Sequence, residues 1–364
     1  MSSPDLKVVF VELGRIPKHL SYNISRLYEL FPDISIVLIT DQVLNHSLEA
    51  IDKRCEIVDV QDKSEENSLQ LMNLNRFKNS KDAFWIYTTQ RLIELCDYHL
   101  ANPANPILHV ESDVILMEDF PFEHLQQRNR MLWGNYNSTH DVASLLFLPN
   151  AKLTAKFKKL ILHFLIEDQS VSDMTLLSII ARQLPNDHSY FPSIPSGNSK
   201  LINDAYTPMD CELESQSRLF ESFGGVFDHS MVGMYLDGLN PEQTYGFKET
   251  LFTKVVESGE SLIDPRYVNY ELKTDSRLVI HDTRSAFPLY TLHLHSKSLD
   301  SFEIQNLTLR KRIEDANLNK KFTHFNLTLF VSLVLRNIHK GTFVPWAKNL
   351  FIYSAKKLKI FISH

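Results

Sequence analysis

Apolar residues recur along this chain in two rhythms. Continuous aliphatic or β-branched runs at Lys7 to Glu12, Ile34 to Ile39 and Ile57 to Val60 predict buried strands. Between the first two, Ile24, Leu27, Tyr28 and Phe31 recur at helical spacing and predict a helix over Ser21 to Leu30. Strand, helix and strand in that order predict a parallel unit, which gathers its loops and ligands at the carboxyl ends of the strands, where Glu12 and Asp41 fall. Each of these two acids also fits an ordinary strand end facing water.

The stretch Phe84 to Leu100 repeats apolar residues every three and four positions and stops before Asn102-Pro103, as a helix does. Pro106 to Phe120 follows, PILHVESDVILMEDF, in which two short apolar runs are interrupted by Glu111, Ser112 and Asp113. Carboxylates set between buried runs need a partner, and oxygen ligands this close together suit a hard divalent cation. A strand that simply ends in a polar turn gives the same pattern. Further on, Ala143 to Leu148 predicts another strand and Lys152 to Ile166 a helix with a basic solvated face. Ser172-Asp173 predicts the capped start of the next helix. Leu184 to Asp210, rich in Pro, Ser and Asn, reads as a long irregular loop of the kind that covers binding sites.

Two later blocks carry chemistry. In Phe223 to Phe247, Gly224-Gly225 permit a tight turn, Asp228 or Ser230 caps a short helix, and Gly238 closes it. Asp228 there either caps or meets a ligand, and Asp237 is a weaker candidate of the same kind. In Tyr290 to Leu299, YTLHLHSKSL, a strand would place His293 and His295 on one polar face, with Lys297 just beyond.

Taken in chain order, these blocks resemble GT-A-fold glycosyltransferases of bacterial glycan or capsule biosynthesis, over about residues 7 to 300. The resemblance rests on an apolar strand entering Glu111-Ser112-Asp113, a variant of the Asp-x-Asp motif with Glu in first place. It also rests on Phe84-Trp85 with Thr88, Thr89 and Arg91 ahead of His109-Val110-Glu111, on Phe227-Asp228 ahead of Tyr235-Leu236, and on His295-Ser296-Lys297. It implies an α/β fold, a GT-A-like and so Rossmann-like core with a mainly parallel central sheet over residues 1–300; beyond it, the change to a basic composition predicts a helical basic appendage over 301–364. It implies Mn2+ or Mg2+ held by Glu111, Asp113 and His295, with His293 as second choice for the histidine. The nucleotide-sugar donor would meet Glu12, Asp41, Arg91, Ser112 and Lys297, and Asp228 and Asp173 would serve catalysis. Arg91 equally fits a surface ion pair with Glu94 or Asp97.

Composition narrows the partners. The 364 residues are 43% hydrophobic with a net charge of −6, enough apolar material for a large core and the wrong sign for a general nucleic-acid binder. Three scattered cysteines suit a reducing compartment. The start MSSPDLKVVF lacks a basic flank and a long apolar stretch, so a cytoplasmic location is expected. From Ala316 to His364 there are eight Lys and Arg and no acids, which against a total of −6 leaves −14 on residues 1–315. That asymmetry, with bulky apolar residues among the cations, suits either an amphipathic segment at an anionic membrane surface or a lid on the acidic core.

The function expected is a metal-dependent transfer of a sugar from a nucleotide-diphosphate donor to a glycan or lipid-linked acceptor. The alternative is a catalytically inactive nucleotide-sugar or glycan-binding protein of the same fold. A metal-dependent nucleotidyltransferase fits less well, because no Gly-rich loop bearing Lys or Arg follows the first strand.

Overall fold

The computed structural model describes residues 6–42, 46–60, 84–167, 172–197, 199–204, 206, 210–237, 261–282, 285–297, 299–303 and 309–317. The chain divides into two compact units, residues 1–314 and 315–364, and the architecture below is that of the first. Beyond residue 317 the basic C-terminal stretch lies outside the described residues, as do 61–83 and 238–260.

A seven-stranded sheet forms the centre. Its strands are β1 (Lys7–Glu12), β2 (Ser35–Thr40), β3 (Glu56–Asp59), β4 (Ile107–Val110), β6 (Met131–Asn135), β7 (Asp141–Leu148) and β8 (His188–Tyr190), in the order β3-β2-β1-β4-β7-β6-β8. The pairs β2–β3, β1–β2, β1–β4 and β6–β8 are parallel, while β7 runs antiparallel to both neighbours. The fold is therefore α/β with a mostly parallel central sheet, as expected.

Both faces are covered, which is why the strands read as unbroken apolar runs rather than alternating ones. Val9, Val11, Val37 and Ile39 turn to one face, where they pack with residues of helices α2 (Phe84–Ala101), α4 (Ala151–Glu167) and α5 (Asp173–Gln183). Val8, Phe10, Ile36 and Leu38 turn to the other, against Leu20, Ile24 and Leu27 of α1 (Lys18–Leu30). Each such fully buried aliphatic side chain contributes about 1.5–3 kcal/mol relative to exposure. Cys55 and Cys96 are buried free thiols, and burial raises the pKa of both. Among the described residues no helix is long and apolar enough to cross a membrane.

Leu184 to Asp210 departs from the open loop predicted for it. It supplies β8 to the sheet and buries Phe191, Ile194 and Leu201 almost completely. The run His188-Ser189-Tyr190 was too short and polar to announce a strand, and its apolar anchors are spaced too widely for either periodicity. A second sheet was also not foreseen: β9 (Asn269–Leu272), β10 (Leu278–His281) and β11 (Ala286–Leu289) form a small antiparallel meander.

The remaining pair builds the site. β5 (Val114–Leu116) pairs antiparallel with β12 (Thr291–His293), His293 opposite Val114. The motif Glu111-Ser112-Asp113 is the turn between β4 and β5, closed by Val114 N–H donating to Glu111 O at 2.9 Å.

Candidate functional site

Glu111 leaves the carboxyl end of β4 with its N–H still bonded to Ser144 O of β7, so its position is tied to the sheet. Asp113 is tied to β12, because its carbonyl accepts from Leu294 N–H at 2.7 Å. The two pairings bring one ligand atom each from Glu111, Asp113 and His293 within 4.8 Å of one another. His293 Nε2 stands 3.4 Å from Asp113 Oδ1 and 3.7 Å from Glu111 Oε2.

The tautomer of His293 follows from its other nitrogen. Nδ1 lies 2.9 Å from His229 O, and since a carbonyl can only accept, Nδ1 carries the hydrogen. Nε2 is thereby turned to the carboxylates, the arrangement in which a backbone carbonyl orients a metal-ligating imidazole. Two carboxylates and one imidazole nitrogen are a donor set that fits Mn2+ or Mg2+ in oxygen-rich surroundings.

Charge is concentrated around this cluster. Lys297 Nζ is 3.4 Å from Asp113 Oδ2, and Arg91 Nη1 is 2.6 Å from Glu111 Oε1. Burial alone would raise the Asp113 pKa, but the charge and hydrogen bond of His293, followed by Lys297, hold it well below the usual carboxylate range. Burial likewise pulls His293 down, and Asp113 and Glu111 override it and push the imidazole up to about 9. Lys297 itself adopts φ 54°, a left-handed backbone unusual for a side chain with a Cβ. Such a conformation persists where the surroundings over-determine it, here in the turn that carries Lys297 back to Asp113.

Of the residues singled out from sequence, Glu12, Arg91, Ser112, Glu111, Asp113, Asp173 and Lys297 are brought together. Glu12 ends β1 and bonds to Ser112; burial lifts its pKa to about 7, against that hydrogen bond and the charge of Arg91. Arg91 is mostly buried and lies in the field of Glu111, Asp173, Glu12 and Asp113, in that order of strength. It is thus an interior counter-ion, and the surface pair with Glu94 or Asp97 is not where its charge is spent. Asp173 opens α5, with Ser172 Oγ accepting from Thr175 N–H as the cap. Burial raises the Asp173 pKa against Arg91, and its Oδ1 has no hydrogen-bond partner. Asp41 stands at the end of β2, where Oδ1 accepts from Gly14 N–H at 2.9 Å and fixes the loop that follows β1. Gly14 needs its φ of 75° and the close approach of the Tyr87 ring, which a Cβ would meet at 2.7 Å.

Three expectations change. The histidine that closes on the carboxylates is His293, because β12 ends there and His295 falls in the following turn instead of sharing its face. The His295 ring stacks on His293 with centroids 4.4 Å apart, and burial, aided by His293, lowers its pKa to about 3. Asp228 is buried and its carboxylate is spent on the backbone: Oδ1 accepts from Ser230 and Val232 N–H, Oδ2 from Gly233 and His293 N–H. It caps α8 (Met231–Asp237) and ties that helix to β12, with no oxygen left for a substrate. Gly233 permits the contact, since a Cβ there would stand 1.8 Å from His293 O. Asp237, finally, pairs with Ser296 and Arg312 and is an anchor for the chain beyond β12.

Sequence reasoning passed over His19 and Asn23. Both lie on the buried face of α1, and both reach the motif: His19 Nε2 is 3.3 Å from Ser112 Oγ, and Asn23 bonds to two backbone carbonyls beside Asp113. The signal was present, for polar residues at i and i+4 within an apolar stripe require partners.

Two acids and an imidazole close enough to share a metal ion, with two cations beside them, thus stand at the carboxyl edge of β4 in the mostly parallel sheet. No protein-family model matches the sequence. No curated protein matches it either. Among solved structures the chain overlaps the PaToxG glycosyltransferase at 12% identity, over 49% of this chain and 69% of that one, with a TM-score of 0.34. The galactosyltransferase LgtC, in complex with donor and acceptor sugar analogues, overlaps at 12% identity over 51% and 73%, with a TM-score of 0.35. The glycosyltransferase GlyE of Streptococcus pneumoniae overlaps at 15% identity over 50% and 44%, with a TM-score of 0.33. Overlaps of this size assign neither a family nor a reaction to this chain.

Proposed function

We propose that this chain is a glycosyltransferase that takes its sugar from a nucleotide-diphosphate donor and depends on a divalent cation, Mn2+ or Mg2+. The observation that carries the reading is the convergence of Glu111, Asp113 and His293 with Lys297 and Arg91 beside them. Asp113 and His293 hold the cation, and Glu111, shared with Arg91, completes the protein's share of the ligands. When bound, the cation supplies positive charge to the donor's diphosphate and stabilises it as a leaving group.

The protein's own groups do the rest. Lys297 has an ammonium placed to meet the same phosphates, where a fixed cation stabilises charge as it develops. Glu12, Ser112 and Asp41 line the strand ends where the nucleoside would sit, and Arg91 holds Glu111 and Asp173 in place. The sugar's anomeric carbon loses its bond to the phosphate oxygen and gains one to an acceptor hydroxyl, whose proton must be taken up. With Asp228 committed to capping, Asp173 is the candidate acid for that acceptor, having one buried oxygen without a hydrogen-bond partner. The acceptor is a glycan or a lipid-linked sugar. A peripheral position at the cytoplasmic membrane face through the basic residues 316–364 belongs to the same reading.

One observation favours the second reading, a binding protein without turnover: of two acids expected to serve catalysis, one is a cap. A panel of nucleotide sugars tested with Mn2+ separates the two. Transfer predicts release of nucleoside diphosphate that EDTA stops and Asp113→Asn abolishes, whereas a binder shows a Mn2+-dependent thermal shift without release. Transfer that persists in EDTA overturns the cation-dependent reading.

A further inference from the structure

The strand β5 has two edges. One is paired with β12; along the other, the carbonyls of Ser112, Val114 and Leu116 point the same way, as alternate residues of a strand do. Among the described residues no strand covers that edge. Helix α1 covers it instead, with side chains spaced at i, i+4 and i+7 from His19: Asn23 Nδ2 donates to Ser112 O at 3.0 Å and to Val114 O at 2.7 Å, and Arg26 Nη1 donates to Leu116 O at 2.5 Å. One stripe of a helix thus reads one edge of a strand.

We propose that Asn23 is a positioning residue for the cation site: its amide grips the carbonyls on either side of Asp113 and so fixes the backbone from which that carboxylate reaches the cation. The proposal rests on the cation-dependent reading above and goes beyond it by naming what sets the ligand geometry.

Three features support it. The two hydrogens of one amide nitrogen serve two acceptors, the carbonyls of the residues before and after Asp113, so a shift of the Asp113 backbone away from α1 stretches both bonds. The orientation of the amide follows from chemistry, because both partners are carbonyls and only the nitrogen can face them. The third is that Asn23 is completely buried and its Oδ1 is left without a partner, a desolvation loss that a Leu of similar size on this apolar face would avoid. An amide retained at such a cost is there for its donors. Asp113 is then held from three sides: by Asn23 through the flanking carbonyls, by Leu294 N–H through its own carbonyl, and by His293 and Lys297 through its carboxylate.

Arg26 supplies the control. It makes the same kind of bond from the same helix to the same strand, but at Leu116, beyond reach of the Asp113 peptide. The full chain is titrated with Mn2+ alone, without donor, and free and bound ion are read by electron paramagnetic resonance. Asn23→Leu, and Asn23→Ser as the milder variant that keeps a hydroxyl donor and admits water, should weaken Mn2+ binding by about 10–100-fold, as loss of an outer-shell partner does. They should also alter the bound-ion spectrum, which mere loosening of the fold elsewhere would not. Arg26→Met should leave affinity within about threefold and the spectrum unchanged. Should both Asn23 variants bind Mn2+ as the wild type does, or Arg26→Met weaken binding equally, the positioning role is overturned. Asp113→Asn is run alongside. If the wild type takes up no Mn2+, or Asp113→Asn binds it as well as the wild type, the cation reading itself falls and this proposal with it. If Asp113→Asn loses the ion while both Asn23 variants keep it, only the positioning role fails.

Discussion

Asp113 and Asp141 are both buried acids next to apolar strand residues, and their surroundings set them apart. Asp141 is met by neutral donors: Trp133 Nε1 at 2.8 Å, Asn135 Nδ2 at 2.6 Å and the Tyr190 hydroxyl. Hydrogen bonds satisfy its oxygens, and the charge of Arg182 acts on it more weakly than any of them, so burial lifts its pKa to about 7. Asp113 is met by His293 and Lys297, which hold its pKa low, and its neighbour Glu111 is met by Arg91. A buried acid with neutral hydrogen-bond partners suits a structural role, while one gathered with another acid, cations and an aimed imidazole nitrogen has the make-up that the proposed cation site needs.

The largest effect expected is on that contrast. Asp113→Asn should lower Mn2+ affinity by at least about 100-fold, or ~2.7 kcal/mol. Asp141→Asn should leave it within about threefold while lowering stability by about 1–3 kcal/mol, because an amide hydrogen would face the Trp133 or Asn135 donors. Titration of the free ion and thermal unfolding measure the two. Equal loss of Mn2+ in both variants would erase the distinction. His293→Ala should act with Asp113→Asn non-additively, since the two share one ion.

A middle effect separates caps from ligands. Asp228→Ala removes four backbone hydrogen bonds and should cost about 2 kcal/mol or more, above an ordinary cap because these donors are buried. Under conditions where the variant is folded, donor affinity should change far less than for Asp113→Asn. A loss of donor binding at unchanged melting temperature would return Asp228 to the site.

How much was legible beforehand follows the same physics. Strands β1, β2 and β4 showed in the sequence because burial on both faces demands unbroken apolar runs, and Glu111-Ser112-Asp113 showed because acids break such a run. The choice between His293 and His295 was not legible. Alternation places both on one face only while the strand continues, and its end at His293 is set by pairing with Val114, a contact about 180 residues away in sequence. Asp228 likewise read as cap or ligand alike, since a carboxylate beside a diglycine has the same local sequence in either role. Its four donors come from Ser230 and the first turn of α8 on one side and from β12 on the other, which only the fold brings together. The polar stripe of α1 was legible in principle, but its partner was a strand edge that does not exist until β5 pairs with β12.

The smallest effect tests whether Glu12 belongs with Asp113 or with Asp141. Like Asp141, Glu12 is lifted by burial to about 7, yet it stands beside Arg91 and Ser112. In the cation-free protein the native state therefore keeps a proton on Glu12 between about pH 4.5 and 7 that the unfolded chain has released. Stability must then fall as pH rises through that window. A rise from 4.5 to about 7 corresponds to ~3 kcal/mol at full weight, and the partial exposure of Glu12 reduces this to the order of 1 kcal/mol. Glu12→Gln keeps an acceptor for Ser112 and cannot ionise, so its unfolding free energy, measured in EDTA from pH 4.5 to 7.5, should be flatter than that of the wild type by that amount. With Mn2+ present, the cation's field should lower the Glu12 pKa and shrink the difference between the two curves. If the difference persists undiminished in saturating Mn2+, Glu12 lies outside the field of the ion and groups with Asp141 as a structural acid.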